Sequence, residues 1–132
     1  MPIDPVPLDL SDFDAVGVAA ELIGALREGS IEAGADASVR VPGPDGWHDV
    51  VVIGRPSGHV VLSVRYGTLT ASRLHNVAAA LEERGWLLDD DGEGATQRFP
   101  PGTEAATIAF ELLAVAVLGG APRDTRLVIP EI

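Results

Sequence analysis

The chain has 132 residues, 46% of them hydrophobic but only 5% aromatic, which predicts a single domain with an aliphatic core. Twenty acidic residues against nine basic ones, all of them arginine, give a net charge of −11 and disfavour binding to nucleic acid or to anionic membranes. The absence of cysteine excludes disulfides, thiolate metal sites and cysteine nucleophiles, and it favours a cytoplasmic location.

The first third of the chain predicts an arm followed by a helix. Residues 1–11 contain three prolines and are expected to form a flexible N-terminal arm. Over residues 12–28, apolar side chains recur at three- and four-residue spacing, which predicts an amphipathic helix. Ser11 is placed to cap this helix and Gly29 to end it.

The hydrophobic period then changes to two, which predicts strands. Turn sequences rich in proline and glycine separate the strands, so an antiparallel meander is expected. The three predicted strands lie within residues 38–41, 50–53 and 60–65.

The second half of the chain predicts two more helices and a hairpin. A helix over 72–84 can be capped by Ser72, and two strands flank the acidic segment 89–94. A third helix is predicted over 104–118. The expected fold is therefore α+β: helix, three-stranded antiparallel meander, helix, two-stranded hairpin, helix, with the helices packed on one sheet.

This order of elements predicts one domain over residues 12–120. Residues 121–132 are interpreted as a C-terminal extension, in which 126–129 can form a short strand. No stretch of apolar residues reaches the length of about 20 that a membrane-spanning helix needs.

The third helix has more apolar residues than one sheet face can cover. Ala106, Phe110, Leu113 and Val117 form one stripe, which we expect to face the sheet. A second set lies away from that stripe and predicts a homodimer interface, to which Trp86 and Arg98 are added as partner contacts. The second set is Ile108, Leu112 and Val115.

Three candidate chemical sites are weak. Asp89, Asp91 and Glu93 match the first half of a calcium-binding loop, but Pro100 stands where the bidentate carboxylate is needed, so a solvated hairpin turn is favoured. The three histidines, His48, His59 and His75, lack metal-site spacing, and surface or partly buried positions are expected.

Ser57 and His59 invite a nucleophile hypothesis because a serine and a histidine share one tight loop. The loop is not a GxSxG elbow, and residues two apart seldom reach catalytic geometry. Phosphate-loop and dinucleotide-binding motifs are also missing from the sequence. A hairpin turn is the favoured interpretation, and no catalytic residue, metal or cofactor is predicted.

Three segments carry a resemblance to a known family. They are 72–86 (SRLHNVAAALEERGW), 98–100 (RFP) and the alanine-rich helix after Thr103. Together with the order of elements, they resemble the type III secretion chaperone fold and the related YbjN-like bacterial proteins. The resemblance covers about residues 12–120 and implies a homodimer that holds an extended segment of a partner protein without chemistry.

The function expected from the sequence is a non-catalytic protein-binding module, either a chaperone-like or an adaptor homodimer. The alternative is a small-molecule-binding or enzymatic domain whose pocket, lined by His59, Arg65 or Tyr66, lies between the sheet and the third helix. A purely structural subunit of a larger assembly is a third possibility. The partner is expected to be a protein, and its identity is left open.

Overall fold

The computed structural model describes residues 6–9, 15–41, 49–67, 70–90, 92–118 and 124–127. Three helices and seven strands lie within them. In chain order the elements are β1 (Val6–Asp9), α1 (Ala15–Ala33), β2 (Ala37–Val41), β3 (Asp49–Gly54), β4 (Val60–Arg65), α2 (Ala71–Glu83), β5 (Leu87–Leu88), β6 (Gly94–Phe99), α3 (Ala105–Leu118) and β7 (Asp124–Leu127).

Five strands form one antiparallel sheet in the order β2-β3-β4-β6-β5. The first three strands are the predicted meander. The chain then crosses through α2 and returns as a hairpin whose second strand, β6, pairs with β4. The predicted α+β fold is confirmed.

One face of this sheet forms the hydrophobic core. Alternate residues of neighbouring strands stand in register on it, as in the row Val39, Val52 and Leu62, and each is at most 5% exposed. All three helices contribute side chains to the same core cluster. Each fully buried valine or leucine stabilises the fold by roughly 1.5–3 kcal/mol before entropy is counted.

The opposite face carries a mixed set of side chains. The row Arg40, Val51, Ser63 and Thr96 crosses four strands in register, and each of its members is partly or fully exposed. No helix of the described chain packs on this side. We call it the open face of the sheet.

Helix α1 is longer than predicted. It passes through Gly29, which is exposed and tolerated within the helix, and it ends before Gly34, whose φ of 66° reverses the chain. The added turn buries Ser30, whose Oγ lies 2.6 Å from the carbonyl oxygen of Ala35 and 2.9 Å from that of Gly54. This hydroxyl joins the end of α1 to β3.

Helix α2 begins one residue before the predicted cap. Thr70, rather than Ser72, is the N-cap, and its hydroxyl accepts a hydrogen bond from the backbone N–H of Arg73. Val77 and Leu81 are buried, as the apolar spacing predicted. The helix ends before Gly85, which has a φ of 89°.

Helix α3 is rotated relative to the prediction. Ile108, Leu112 and Val115 are at most 1% exposed and face the core, whereas Phe110 is 61% exposed. The small side chains of Ala109 and Ala116 are buried on the same side, and they let α3 pack against α1. The prediction that Ile108, Leu112 and Val115 lie away from the core was wrong.

The two ends of the described chain pair with each other. Strands β1 and β7 form a separate antiparallel pair, with Val6 opposite Leu127 and Asp9 opposite Asp124. The predicted flexible arm therefore contains a strand. The predicted last strand at 126–129 is observed two residues earlier, while Ser11, residues 12–14 and 128–132 lie outside the described residues.

Candidate functional site

A groove runs between the three helices on the side of the molecule away from the sheet. Its volume is about 480 Å³. We call it the helical groove, and its lining residues are Val16, Ala80, Glu83, Arg84, Phe110, Leu113 and Ala114. Ala80 and Ala114 are small, and the space they leave between the larger side chains is what forms the groove.

Phe110 is the most unusual residue of this groove. It is 61% exposed, while most large apolar side chains of the described chain are buried or partly buried. An exposed phenylalanine beside a concave apolar surface is a common feature of docking sites. The sequence prediction assigned Phe110 to the core, so this feature was missed.

A three-residue cluster borders the groove. The Arg84 guanidinium donates two hydrogen bonds of 2.8 Å to the two carboxylate oxygens of Glu111, and the Trp86 indole Nε1–H donates to the same carboxylate at 2.8 Å. This bidentate geometry is the strongest form of an arginine–carboxylate pair. The cluster fixes the end of α2 to α3.

The cluster shifts the ionisation of both charged members. Burial raises the pKa of the Glu111 carboxyl, but the hydrogen bonds from Arg84 and Trp86 and the positive charge of Arg84 outweigh it, so the pKa is lowered overall. The hydrogen bond to Glu111 raises the pKa of Arg84. Trp86 itself is 3% exposed, so its predicted role as a partner contact was wrong.

A second concave region lies on the open face, at the β3–β4 hairpin. It has a volume of about 270 Å³, and we call it the hairpin pocket. Its lining residues are Arg55, Ser57, His59, Val61 and Arg98. Strand register brings them together, because Val61 stands opposite Arg98 on β6.

The hairpin turn sets the geometry of this pocket. The Gly58 N–H donates to the carbonyl of Arg55, and the Arg55 N–H donates to the carbonyl of His59, both at 2.9 Å. Gly58 has a φ of 91°, which other residues rarely adopt. The turn places Ser57 Oγ 2.9 Å from His59 Nδ1.

Ser57 and His59 therefore reach hydrogen-bond distance although they are only two residues apart. Both are exposed. No carboxylate of the described residues orients the imidazole, so the arrangement falls short of the serine–histidine–acid geometry used for nucleophilic catalysis. The pair is better suited to hydrogen bonding than to attack on a substrate.

No ion pair joins Arg98 to the described carboxylates of the acidic segment, Asp89, Asp90 and Glu93. Within the described residues it forms neither an ion pair nor a side-chain hydrogen bond. Instead Arg65 pairs with Glu93 at 3.0 Å. The partner-contact prediction for Arg98 stays a prediction.

The acidic segment forms the predicted hairpin turn. The Gly92 N–H donates to the carbonyl of Asp89, and the Asp89 N–H donates to the carbonyl of Gly94. Within the described chain no group of three or more potential ligands could hold a metal ion. His75 is exposed on α2, while His48, Trp47 and Asp91 lie outside the described residues.

The space between the sheet and α3 is too small for a ligand. A void of about 10 Å³ between α1, α3 and the sheet is lined by apolar side chains, among them Ile23, Val52 and Leu112. This volume is at or below the minimum that one water molecule requires. His59 and Tyr66 lie at opposite ends of β4, so they do not share the pocket predicted for the alternative function.

Tyr66 belongs to the other end of the sheet. Burial raises the pKa of its phenol, and the negative charge of Asp89 raises it further.

Within the described ranges, no helix combines the length and the apolar character that crossing a membrane requires. No protein-family model matches the chain, and neither a curated protein nor a solved structure matches it.

Proposed function

We propose that the protein is a non-catalytic protein-binding module, chaperone-like or adaptor in type, which holds a segment of a partner polypeptide in the helical groove. The observation that carries this proposal is the 61% exposure of Phe110 beside that groove. Covering an exposed aromatic side chain releases water and stabilises a complex.

The shape of the groove favours a polypeptide as its occupant. Small side chains at Ala80 and Ala114 leave room for inserted groups, and Val16, Phe110 and Leu113 supply apolar walls. A helix or an extended segment that places one or two apolar side chains here would use a common mode of peptide recognition.

Charge favours a basic partner segment. The chain has a net charge of −11, Glu83 lies exposed at the groove, and Arg84 is already paired with Glu111. Lysine or arginine residues flanking the inserted apolar groups would complement this surface and speed association. A second copy of the same chain carries the same negative charge and is the less favourable occupant.

The homodimer predicted from the sequence is a separate proposal. Ile108, Leu112 and Val115 are buried within one chain, so a twofold contact would have to use other residues.

A reducing compartment such as the cytoplasm agrees with the lack of cysteine.

The proposal is tested with a synthetic peptide of leucine and lysine that forms a basic amphipathic helix. We expect fluorescence anisotropy to show binding that weakens about tenfold in Phe110→Ala, since removal of a central aromatic contact costs more than about 1 kcal/mol. Leu87→Ala is the matched control, because Leu87 is 73% exposed but lies on β5, outside the groove.

Two results would contradict the proposal. One is equal peptide affinity in Phe110→Ala and the unsubstituted protein. The other is light scattering that shows a dimer which Phe110→Glu converts to a monomer, because the groove would then belong to a second copy. A leucine–glutamate peptide that binds as tightly would refute the charge argument.

A further inference from the structure

We propose that the hairpin pocket binds the phosphate group of a small phosphorylated ligand. This inference is independent of the helical groove, which lies on the other side of the sheet. Its basis is a set of hydrogen-bond donors from two arginines, a histidine and a serine around one pocket, in a chain whose net charge is −11. Positive side chains gathered in an otherwise acidic protein define a local site for an anion.

Arg98 is the main recognition group. Five other arginines of the described chain bond a carboxylate or a backbone carbonyl: Arg27, Arg40, Arg55, Arg65 and Arg84. Arg98 has no such bond with a described residue although carboxylates outnumber arginines in the chain. No described residue occupies its guanidinium, whose planar fork of donors is well suited to an oxygen ligand.

Arg55 supplies further donors. One terminal nitrogen, Nη1, lies 2.6 Å from a carboxylate oxygen of Asp36. A guanidinium has five N–H groups, so this ion pair fixes the side chain and leaves other N–H groups to donate. Asp36 thus positions Arg55 at the pocket.

Ser57 and His59 can adapt to an anion. In the tautomer that carries a hydrogen on Nδ1, the imidazole donates to Ser57 Oγ across the observed 2.9 Å, and the serine hydroxyl hydrogen is free to donate to a ligand. A bound anion would favour this arrangement. The pair then contributes an additional donor.

The floor and size of the pocket favour a phosphate monoester. Val61 is only 6% exposed and gives the pocket an apolar floor, which strengthens the hydrogen bonds around it. A phosphate group carries a charge of about −1.5 to −2 and three acceptor oxygens. A carboxylate has a smaller charge and fewer acceptor oxygens, so it matches the four donor groups of the pocket less well. The volume of about 270 Å³ is near the lower limit for small-molecule sites and leaves room for a small group beyond the phosphate.

The test is an NMR titration of the ¹⁵N-labelled full chain at constant ionic strength. The probes are O-phosphoserine and inorganic phosphate, with serine and acetate as controls that lack the phosphate or offer only a carboxylate. We expect both phosphate compounds to shift the backbone signals of Ser57, His59, Val61 and Arg98. The order of their affinities distinguishes a phosphate ester from the free ion as the ligand.

Two variants separate recognition from general charge. Arg98→Gln should weaken phosphate binding about tenfold, which corresponds to the loss of one charge-assisted contact. Arg40→Gln removes the same charge from the same face of the sheet, but on β2, the edge strand farther from β6, and should weaken binding by less than about twofold.

The proposal is overturned if neither phosphate compound shifts these signals, or if serine or acetate shifts them as strongly. It is also overturned if Arg40→Gln weakens binding as much as Arg98→Gln. Amide spectra without the probes show whether each variant keeps the fold. Arg98 is exposed, so the fold is expected to persist.

Discussion

Replacement of Glu111 by glutamine tests how the helices are held together. The new side chain would keep the oxygen that accepts from Trp86 Nε1–H and Arg84 Nε–H, but its amide nitrogen would face the Nη2 donor of Arg84. One charge-assisted hydrogen bond is lost, worth about 1.5–3 kcal/mol when buried. The side chain of Arg84 is 34% exposed, so solvent screening reduces the expected loss of unfolding free energy to roughly 1–2 kcal/mol.

The effect should depend on pH in a defined direction. The pKa of Glu111 is lowered in the folded protein, so its contribution is fully present above the unfolded carboxyl value of about 4.3. That contribution is lost as the pH falls through the lower, folded value. The stability difference between the protein and Glu111→Gln should therefore be constant near neutral pH and disappear in acid.

Urea unfolding measured at pH 7 and at steps into the acid range gives this difference directly. A matching fall in melting temperature of about 3–5 °C per kcal/mol is expected for a chain of this length. Glu21→Gln is the control, since Glu21 is exposed in the middle of α1 and its replacement removes the same charge. Equal stability at pH 7, or a difference that persists unchanged in acid, would refute the assigned role of the cluster.

Three further substitutions test the packing. Gly94→Ala should destabilise the fold by roughly 2–4 kcal/mol, because a Cβ there would overlap the Val64 carbonyl oxygen. Gly102→Ala is the control, since the space around Gly102 is open, and it should change the melting temperature little. Ser30→Ala should cost about 1 kcal/mol in urea unfolding, as its hydroxyl joins α1 to β3; unchanged stability would contradict this. Leu112→Glu should abolish the folded amide spectrum, since the charge would be buried in the core, and an unchanged spectrum would place the residue at the surface.

The order and type of the main elements could be predicted because local signals agree with the fold. The change from a three-to-four-residue period to a period of two separates α1 from the meander, and turn residues mark the hairpins. Helix ends were less certain. Gly29 and Gly34 are both plausible stops, and the burial of Ser30 against β3 favours the second.

The orientation of α3 could not be predicted from spacing. Two sets of apolar residues in α3 recur at the same helical interval and differ only in the size of their side chains. One set is residues 108, 112 and 115, and the other is residues 106, 110 and 113. The choice is made by packing: Ala109 and Ala116 allow a close contact with α1, while Phe110 is too large for that interface. Tertiary contacts therefore decide which set is buried.

The two candidate sites depend on contacts between distant parts of the chain. Arg98 reaches the hairpin pocket only because β6 pairs with β4 in one register, and a shift of one residue would turn it toward the core. The helical groove likewise needs all three helices in place. Single residues such as His59 or Arg98 could be selected from the sequence, but their neighbours could not.

The position of β6 between β4 and β5 has a consequence for how the chain folds. Strands β2, β3 and β4 are consecutive and can pair through short loops, whereas β6 reaches β4 only after α2 and β5 have been laid down between them. Closing the longer loop costs more conformational entropy before its contacts form. We therefore expect the meander and the β5–β6 hairpin to form before β6 pairs with β4, and conditions that slow this late pairing should slow folding as a whole.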